Sequence, residues 1–414
     1  MNRLILCLLL AITLPLRAQD FNKYFTDQTL RIDYVFAGDA NEQHIYLDKL
    51  NAMPKWYGKR QRLSEVPVRG NGQITVADHK TRRVIYKNSF STLFQEWLSY
   101  DEAKTQHRSF ENVYLVPMPK DTVDVMVELF NNRQELMASM THQVVPTDIL
   151  IRHIGEKNVT PYETLVKPGD DENCINIAFV AEGYRADEME TYLNDCRTAC
   201  DALFAHEPFK SLKDRFNVVA VKSVSQESGT SEPGNGIWKN TAVGSHFDTF
   251  YSDRYLTTLN LKALHDVLAG VPYEHIIVLV NTEKYGGGGI LNSYNLSMTH
   301  HPKFRPVVVH EFGHSFAGLA DEYAYDDEAI PMYPLDVEPW EPNITTKVNF
   351  DSKWKDMVGK DGVGLYEGGG YSTKGAYRPC KDCRMRTNDN PEFCPVCRKA
   401  LTDLIDFYTR SVGK

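Results

Sequence analysis

Residues 307–323 read V-V-V-H-E-F-G-H-S-F-A-G-L-A-D-E-Y, and the interpretation of the whole chain starts from them. His310 and His314 are four residues apart, which places them about 40° apart on one face of an α-helix. Both imidazoles can therefore reach one metal ion, while Glu311 points beside that ion. Apolar residues surround the three polar ones, so the pattern predicts a helix in a hydrophobic core.

The spacing H-E-x-x-H is the signature of zinc peptidases, in which the glutamate is the general base. A catalytic zinc takes three protein ligands and keeps one position open. In the longer form of the pattern a glycine ends the helix and the third ligand follows it by three residues. Here Gly318 comes one residue late and Asp321 follows it by three, so we predict Asp321 as the third ligand. Glu322 is the alternative, because a bent chain can present either carboxylate, and a distant glutamate is a further one.

The segment H-E-F-G-H-S-F-A-G-L-A-D-E-Y, together with the later segments C-R-M-R and F-C-P-V-C, resembles the bacterial immunoglobulin A peptidase family. That family consists of secreted, metzincin-like zinc peptidases. The resemblance extends over roughly residues 165–412 and, more weakly, over the N-terminal part, which is similar to the family's β-rich accessory domain. It implies a zinc ion at His310 and His314 with an acidic third ligand, Glu311 as the catalytic base, and Met385 as the methionine of the Met-turn beneath the metal.

The first residues have the features of an export signal. A charged Arg3 precedes an apolar run that is too short to span a membrane, and residues 16–18 offer a cleavage site. We therefore expect residues 1–18 to be a signal peptide and the mature protein to be exported without a membrane span. Its destination is the periplasm, the cell surface or the extracellular medium.

Charge and composition exclude one class of partner. The net charge is −9, from 46 basic and 55 acidic residues, and the sequence has no basic run with interleaved aromatics. Nucleic acid is therefore not expected to bind. The expected partner is a protein or peptide substrate, and the oligomeric state is not predicted.

The predicted fold class is α+β, with an N-terminal β-sandwich followed by a metzincin-like zincin α/β catalytic domain. Residues 20–150 form the accessory sandwich, 151–170 a turn-rich linker and 171–414 the zinc metallopeptidase domain. Short alternating runs predict the sandwich strands; they are residues 30–36, 73–76, 83–86, 112–116 and 122–129. In the catalytic part, strands at 175–180, 216–221 and 275–280 alternate with helices at about 187–205 and 255–268.

Two further features bear on substrate. Four glycines precede Ile290, and Gly287, Gly288 and Gly289 with Ile290 are predicted to bind the substrate main chain as an added strand. A flexible hairpin tip is the equal alternative. Tyr323 or Tyr325 is the candidate for stabilising the oxyanion.

The sequence has eight cysteines, and seven remain once the signal peptide with Cys7 is removed. The spacing of Cys380, Cys383, Cys394 and Cys397 is that of a structural zinc site, so a second zinc is one prediction. Disulfides are the other, and the exported location favours them slightly.

Together these features predict a secreted zinc-dependent endopeptidase that cleaves protein substrates, such as immunoglobulins or host mucosal glycoproteins. One alternative is a surface protein that binds proteins or glycans and keeps a structural or vestigial zinc site. Another is a zinc amidase or deacetylase that acts on cell-wall or glycan substrates with the same chemistry.

Overall fold

The computed structural model describes residues 21–324 and 333–410. The predicted signal peptide lies outside these ranges, and so does Tyr325, the alternative to Tyr323 as oxyanion stabiliser. Within them, no helix has the length and apolar character needed to cross a membrane. The fold is mixed α/β, with several sheets and few helices.

The strands are β1 Phe25–Gly38, β2 Gln43–Met53, β3 Gly72–Asp78, β4 Val84–Phe90, β5 Arg108–Pro119, β6 Val123–Phe130, β7 Leu136–Val144, β8 Arg152–His153, β9 Tyr162–Val166, β10 Ile175–Glu182, β11 Phe216–Val221, β12 His275–Val280, β13 Gly287–Ile290, β14 Tyr294–Met298, β15 Tyr366–Gly369 and β16 Ser372–Arg378. The α-helices are α1 Phe21–Tyr24, α2 Leu93–Trp97, α3 Met189–Leu203, α4 Leu261–Val267, α5 Phe304–Ala317 and α6 Pro395–Thr409.

The N-terminal region forms two four-stranded sheets, with strand orders β5-β1-β2-β8 and β4-β3-β6-β7. Side chains alternate between buried and partly exposed along β6, as expected for a strand with one face on a core. Apolar side chains of both sheets belong to one hydrophobic cluster, so the sheets share a core. Each predicted N-terminal strand lies at one of these strands, whereas β2 and β7 were not predicted because many of their side chains face solvent.

The C-terminal region is built on a six-stranded sheet of order β13-β14-β12-β10-β11-β9. β14, β12, β10 and β11 are parallel, and the two edge strands β13 and β9 run antiparallel to their neighbours. β10, β11 and β12 are buried along their whole length, which explains their apolar sequences. The helix α5 packs against β13 and β14 at one edge of this sheet.

The two faces of the six-stranded sheet are covered by different parts of the chain. In β10, Ile177 and Phe179 belong to a cluster that also contains apolar residues of α3, α5 and α6. Ala178 and Val180 face the other way and join the cluster that contains the N-terminal strands. The N-terminal region therefore completes the core on one side of the sheet that positions the site.

A buried arginine adds a polar contact between the two regions. Arg31 of β1 is 1% exposed; its Nε donates to Asp33 at 2.7 Å, and its Nη1 donates to Asp266 at 2.6 Å. Asp266 lies in α4, so the guanidinium ties the N-terminal sheet to the C-terminal region.

Two predicted segments differ in detail. The segment predicted as a linker contributes β8, which pairs with β2, and β9, which pairs with β11. The predicted helix at 255–268 is wrong over its first half, since α4 begins at Leu261. Residues before it make extended pairs instead: Leu256 N–H donates to the carbonyl of Gly287, and Thr257 pairs with His246.

Candidate metal centre and its cleft

The helix α5 carries both predicted histidines and ends where a glycine reverses the chain. Gly318 follows the last helical residue with φ 59°, a left-handed conformation that glycine adopts readily. Its N–H donates to the carbonyl of His314 at 2.9 Å. The chain then turns back along α5, and this reversal brings Asp321 beside both histidines.

Three potential ligand atoms face one another at this point. The Nε2 atoms of His310 and His314 are 3.0 Å apart, and Asp321 Oδ1 lies 3.0 Å from the first and 3.3 Å from the second. Zinc–ligand bonds of about 2.0–2.1 Å in a tetrahedron would place such atoms about 3.3 Å apart. The three residues therefore fit one small divalent ion.

The far side of each imidazole is held by a backbone carbonyl. His310 Nδ1 lies 3.0 Å from the carbonyl oxygen of Arg384, and His314 Nδ1 lies 2.5 Å from that of Leu319. A carbonyl only accepts, so each Nδ1 carries a proton, and each Nε2 faces Asp321 as the ring atom available to a metal ion. This is the usual support of a metal-binding histidine.

The convergence of these atoms requires positive charge. Asp321 is 7% exposed, and its Oδ1 has no hydrogen-bond donor among the described residues. Burial alone would raise the pKa of Asp321, but the two histidines hold it well below its ordinary value. Burial lowers the pKa of His314, yet the neighbouring Asp321 outweighs it and raises that pKa to about 9. A proton or a metal cation satisfies this demand, and the donor set of two imidazoles and one carboxylate suits zinc.

Glu311 lies between α5 and the edge strand β13. A Cβ added to Gly287 would come 2.6 Å from Glu311 Oε1, so only glycine leaves room for this carboxylate. Burial raises the pKa of Glu311, and the two histidines oppose that rise. The carboxylate lines the same cleft as the three ligand candidates.

Met385 lies beneath the helix between the two histidines. It is fully buried, and its Sδ is 2.8 Å from the position that a Cβ on Gly313 would take. Its carbonyl accepts from the N–H of Glu322 at 2.8 Å. Met385 is thus packed against the helix that carries both histidines, and its assignment to a Met-turn stays a prediction.

A cleft of about 1160 Å³ opens in front of these residues. Its walls include residues of the N-terminal region, among them Gln95, Glu96 and Tyr100. Tyr255 from the C-terminal region donates its hydroxyl proton to Glu96 at 2.6 Å. Both regions of the chain therefore shape the cleft.

The glycine segment is a strand. Gly287–Ile290 forms β13, at the end of the six-stranded sheet, and pairs with β14. A Cβ on Gly289 would come 2.5 Å from the carbonyl oxygen of Glu311, so these glycines let α5 approach closely. The segment lines the cleft, although Gly287 already pairs with residues 254–256. Its binding of substrate stays a prediction.

Tyr323 is joined to the ligand group through a second tyrosine. Its hydroxyl lies 3.3 Å from that of Tyr371, which in turn donates to Asp321 Oδ2 at 2.5 Å. Both phenols line the cleft, and burial raises the pKa of each. The structure thus places Tyr323 near the site without testing its predicted role.

Glu322, the alternative third ligand, points away from the histidines. Its carboxylate lies with the thiols of Cys383, Cys394 and Cys397. All seven cysteines of the described chain are free thiols, so the preference for disulfides at the Cys380–Cys397 cluster is wrong in this structure.

Four contributors to the site were not predicted from the sequence. Gly313 makes room for Met385, Tyr371 holds Asp321, the carbonyl of Arg384 holds His310, and Glu96 enters from the N-terminal region. The glycine inside the H-E-F-G-H helix was the one available signal, because a helix-interior glycine costs stability and calls for a packing reason. The other three depend on contacts between distant parts of the chain.

The residues of the site define a class of protein. Two histidines, a carboxylate and a buried glutamate beside an open cleft are the constellation of a metallopeptidase. The family model described as IgA Peptidase M64 matches residues 164–362 and 359–405, and the model described as Peptidase M64 N-terminus matches residues 20–141. The chain belongs to the IgA peptidase M64 family, which implies a metallopeptidase with a bound metal, commonly zinc. No curated protein matches the chain.

Proposed function

We propose that this protein is an exported, zinc-dependent endopeptidase with a metzincin-like catalytic region. The observation that supports the proposal most is the set of His310 Nε2, His314 Nε2 and Asp321 Oδ1, which lie 3.0–3.3 Å apart beside Glu311 in an open cleft. A structural site needs no open side and no adjacent base, whereas a catalytic one needs both.

Zinc, when bound, polarises the scissile carbonyl and lowers the pKa of a water molecule toward neutrality. The side chains of the protein position the ligand atoms and supply the general base. His310 and His314 hold their Nε2 atoms in place through their carbonyl-bound Nδ1 atoms, and Tyr371 orients Asp321.

Glu311 is proposed as the general base. It takes the proton of the attacking water and passes it to the nitrogen of the leaving amine. A carboxylate does this best when its pKa lies above its solution value, and burial of Glu311 favours that direction.

The proposed substrates are proteins, bound as an extended segment along β13. Backbone pairing with an edge strand is independent of side chains, so specificity would come from the cleft walls, including Glu96 and Tyr100. Immunoglobulins and host mucosal glycoproteins are the candidates, since the family description names immunoglobulin A. Removal of residues 1–18 would release the mature protein after its export.

The test is a paired cleavage assay. Purified protein and its Glu311→Ala variant are incubated with a mixed peptide library and with immunoglobulins, with and without a zinc chelator. Cleavage by the unaltered protein alone, lost on chelation and restored by zinc, is the expected result.

Zinc content is measured in the same samples. The variant should bind zinc like the unaltered protein, because Glu311 is not a ligand. Cleavage that persists in pure Glu311→Ala would refute the role of this residue. Zinc in both proteins with no cleavage by either would favour a non-peptide substrate or a binding protein.

A further inference from the structure

A second group of potential metal ligands includes Glu322, the residue after Asp321, and none of its members lines the cleft. Cys383, Cys394 and Cys397 converge with Glu322, and all four side chains are buried. The sulfurs of Cys383 and Cys397 are 3.8 Å apart. Glu322 Oε1 lies 3.1 Å from the sulfur of Cys397 and 4.0 Å from that of Cys394.

These distances fit a shared metal ion and not a disulfide. Sulfurs bound to zinc at about 2.3 Å in a tetrahedron are about 3.8 Å apart, and a sulfur and a carboxylate oxygen are about 3.5 Å apart. A disulfide needs about 2.05 Å between its sulfurs. The separation of 3.8 Å between Cys383 and Cys397 matches the first geometry, and the two Glu322 distances lie on either side of the second.

The carboxylate provides an independent observation. Glu322 is 0% exposed, and its Oε2 has no hydrogen-bond partner among the described residues. Its Oε1 accepts from Asn343 Nδ2 at 3.0 Å and faces the sulfurs of Cys397 and Cys394. A carboxyl group buried among thiols with an oxygen left unsatisfied is costly unless a cation accompanies it.

We infer that Glu322, Cys383, Cys394 and Cys397 bind a second, structural zinc ion. The set departs from the four-cysteine site that the sequence spacing suggests, because Glu322 takes the place of Cys380. Cys380 is buried nearby but does not belong to the converging group. Three thiolates and one carboxylate fill all four positions of zinc, so this site is closed to substrate.

The second site supports the first one through two short stretches of backbone. Glu322 directly follows Asp321, and its N–H donates to the carbonyl of Met385 at 2.8 Å. Cys383 is followed by Arg384, whose carbonyl holds His310 Nδ1 at 3.0 Å. An ion that joins Glu322 to Cys383 therefore fixes both stretches. This consequence rests on the proposed function, whereas the second site itself does not.

The experiment separates the two sites by variants and by cobalt spectroscopy. Zinc per chain is measured by elemental mass spectrometry in the exported chain and in the variants Cys397→Ser, Glu322→Gln and His310→Ala/His314→Ala. We expect about two ions per chain to fall to about one in each of the first two variants and, independently, in the third. The matched control is Cys380→Ser, which should keep both ions.

Cobalt(II) reports the ligand type directly. The double histidine variant loaded with cobalt should show the intense thiolate-to-metal absorption band, and Cys397→Ser should lack it. A band in neither protein, or a disulfide found at Cys383 or Cys397 by mass spectrometry, would overturn the second site. Loss of the band in Cys380→Ser together with its retention in Glu322→Gln would overturn the assignment of Glu322.

A measurement on the unaltered chain covers the case in which a cysteine variant does not fold. Alkylation of native protein should leave Cys383, Cys394 and Cys397 unmodified until a chelator is added. Their rapid alkylation in zinc-loaded protein would refute the site. None of these readouts needs peptidase activity, so failure of the second site and failure of the proposed function are distinguishable.

Discussion

Met385 occupies the space that a side chain at residue 313 would need: its Sδ lies 2.8 Å from the position of a Cβ on Gly313. Gly313 is the residue just before His314 in α5. The absence of a side chain there lets the loop with Met385 approach the helix that carries both histidines. The contact therefore determines how closely the loop with Met385 packs against the helix of the metal centre.

Replacing Gly313 by alanine should destabilise the protein. Alanine is the better helix former by about 0.5–1 kcal/mol, so a loss must come from the contact with Met385. Overpacking costs about 1–3 kcal/mol, and we expect a net decrease of about 1 kcal/mol in the free energy of unfolding. Urea denaturation measures it. In the double variant Gly313→Ala/Met385→Ala the overpacking cost should disappear, so its loss of stability should be smaller than the sum of the losses in the two single variants. A loss equal to that sum would show that the two residues do not interact.

Tyr371→Phe should weaken metal binding. The substitution removes the hydroxyl that donates to Asp321 Oδ2 and leaves the carboxylate free to rotate. Loss of such a supporting hydrogen bond lowers metal affinity about 10–100-fold. Competition with a chromophoric chelator measures this affinity. An affinity equal to that of the unaltered protein would show that packing alone orients Asp321.

Tyr323→Phe should lower the rate of catalysis without weakening metal binding, in contrast to Tyr371→Phe. The hydroxyl of Tyr323 is 3.3 Å from that of Tyr371, and it is Tyr371 that donates to Asp321 Oδ2. If it stabilises the oxyanion, kcat should fall about 10²-fold while KM and zinc content hardly change. Steady-state kinetics on a cleaved peptide and metal analysis give both quantities. An unchanged kcat would remove Tyr323 from the mechanism.

Arg31→Met should destabilise the whole protein. Arg31 is 1% exposed and bonds both Asp33 and Asp266, so its removal leaves the buried Asp33 without its cation. Breaking a buried pair costs about 3–5 kcal/mol. Thermal or urea unfolding measures the loss. The control is Arg133→Met, since Arg133 pairs with Asp336 at the surface and its loss should not be measurable. Comparable losses in the two variants would contradict the bridging role of Arg31.

His275 should make the protein less stable in acid. Burial among aromatic rings lowers the pKa of His275 to about 3, against about 6.5 in the unfolded chain. Between these values the unfolded chain binds the extra proton, so stability is lost as the pH falls below about 6.5, by up to about 1.4 kcal/mol per pH unit.

The variant His275→Phe isolates this effect. Other buried groups titrate in the same range, and burial raises the pKa of the adjacent Glu274 to about 8. The measured quantity is therefore the difference in unfolding free energy between the two proteins at each pH. The stability of the unaltered protein relative to that of His275→Phe should fall as the pH falls from 6.5 to 4.5. A difference independent of pH would mean that His275 keeps its solution pKa in the folded protein.

Much of the fold followed from local patterns. The buried strands β11 and β12 were predicted with their observed bounds, since runs of apolar residues between turns identify strands that are covered on both faces. The strands β2 and β7 were missed because many of their side chains face solvent. The first half of the helix predicted at 255–268 was wrong, because tertiary pairing with Gly287 competes with helical hydrogen bonds there.

The sequence by itself determined the helix with His310, Glu311 and His314 on neighbouring positions, and Gly318 as its end. Those features depend on the helical period and on one glycine, both of which act within a few residues. Only the tertiary structure decided that Asp321 and Glu322, adjacent along the chain, serve different groups of ligands. It also decided that Met385 lies against Gly313, and that the N-terminal region covers one face of the six-stranded sheet. Such contacts depend on how distant segments pack, and the period of a single helix or strand carries no information about them.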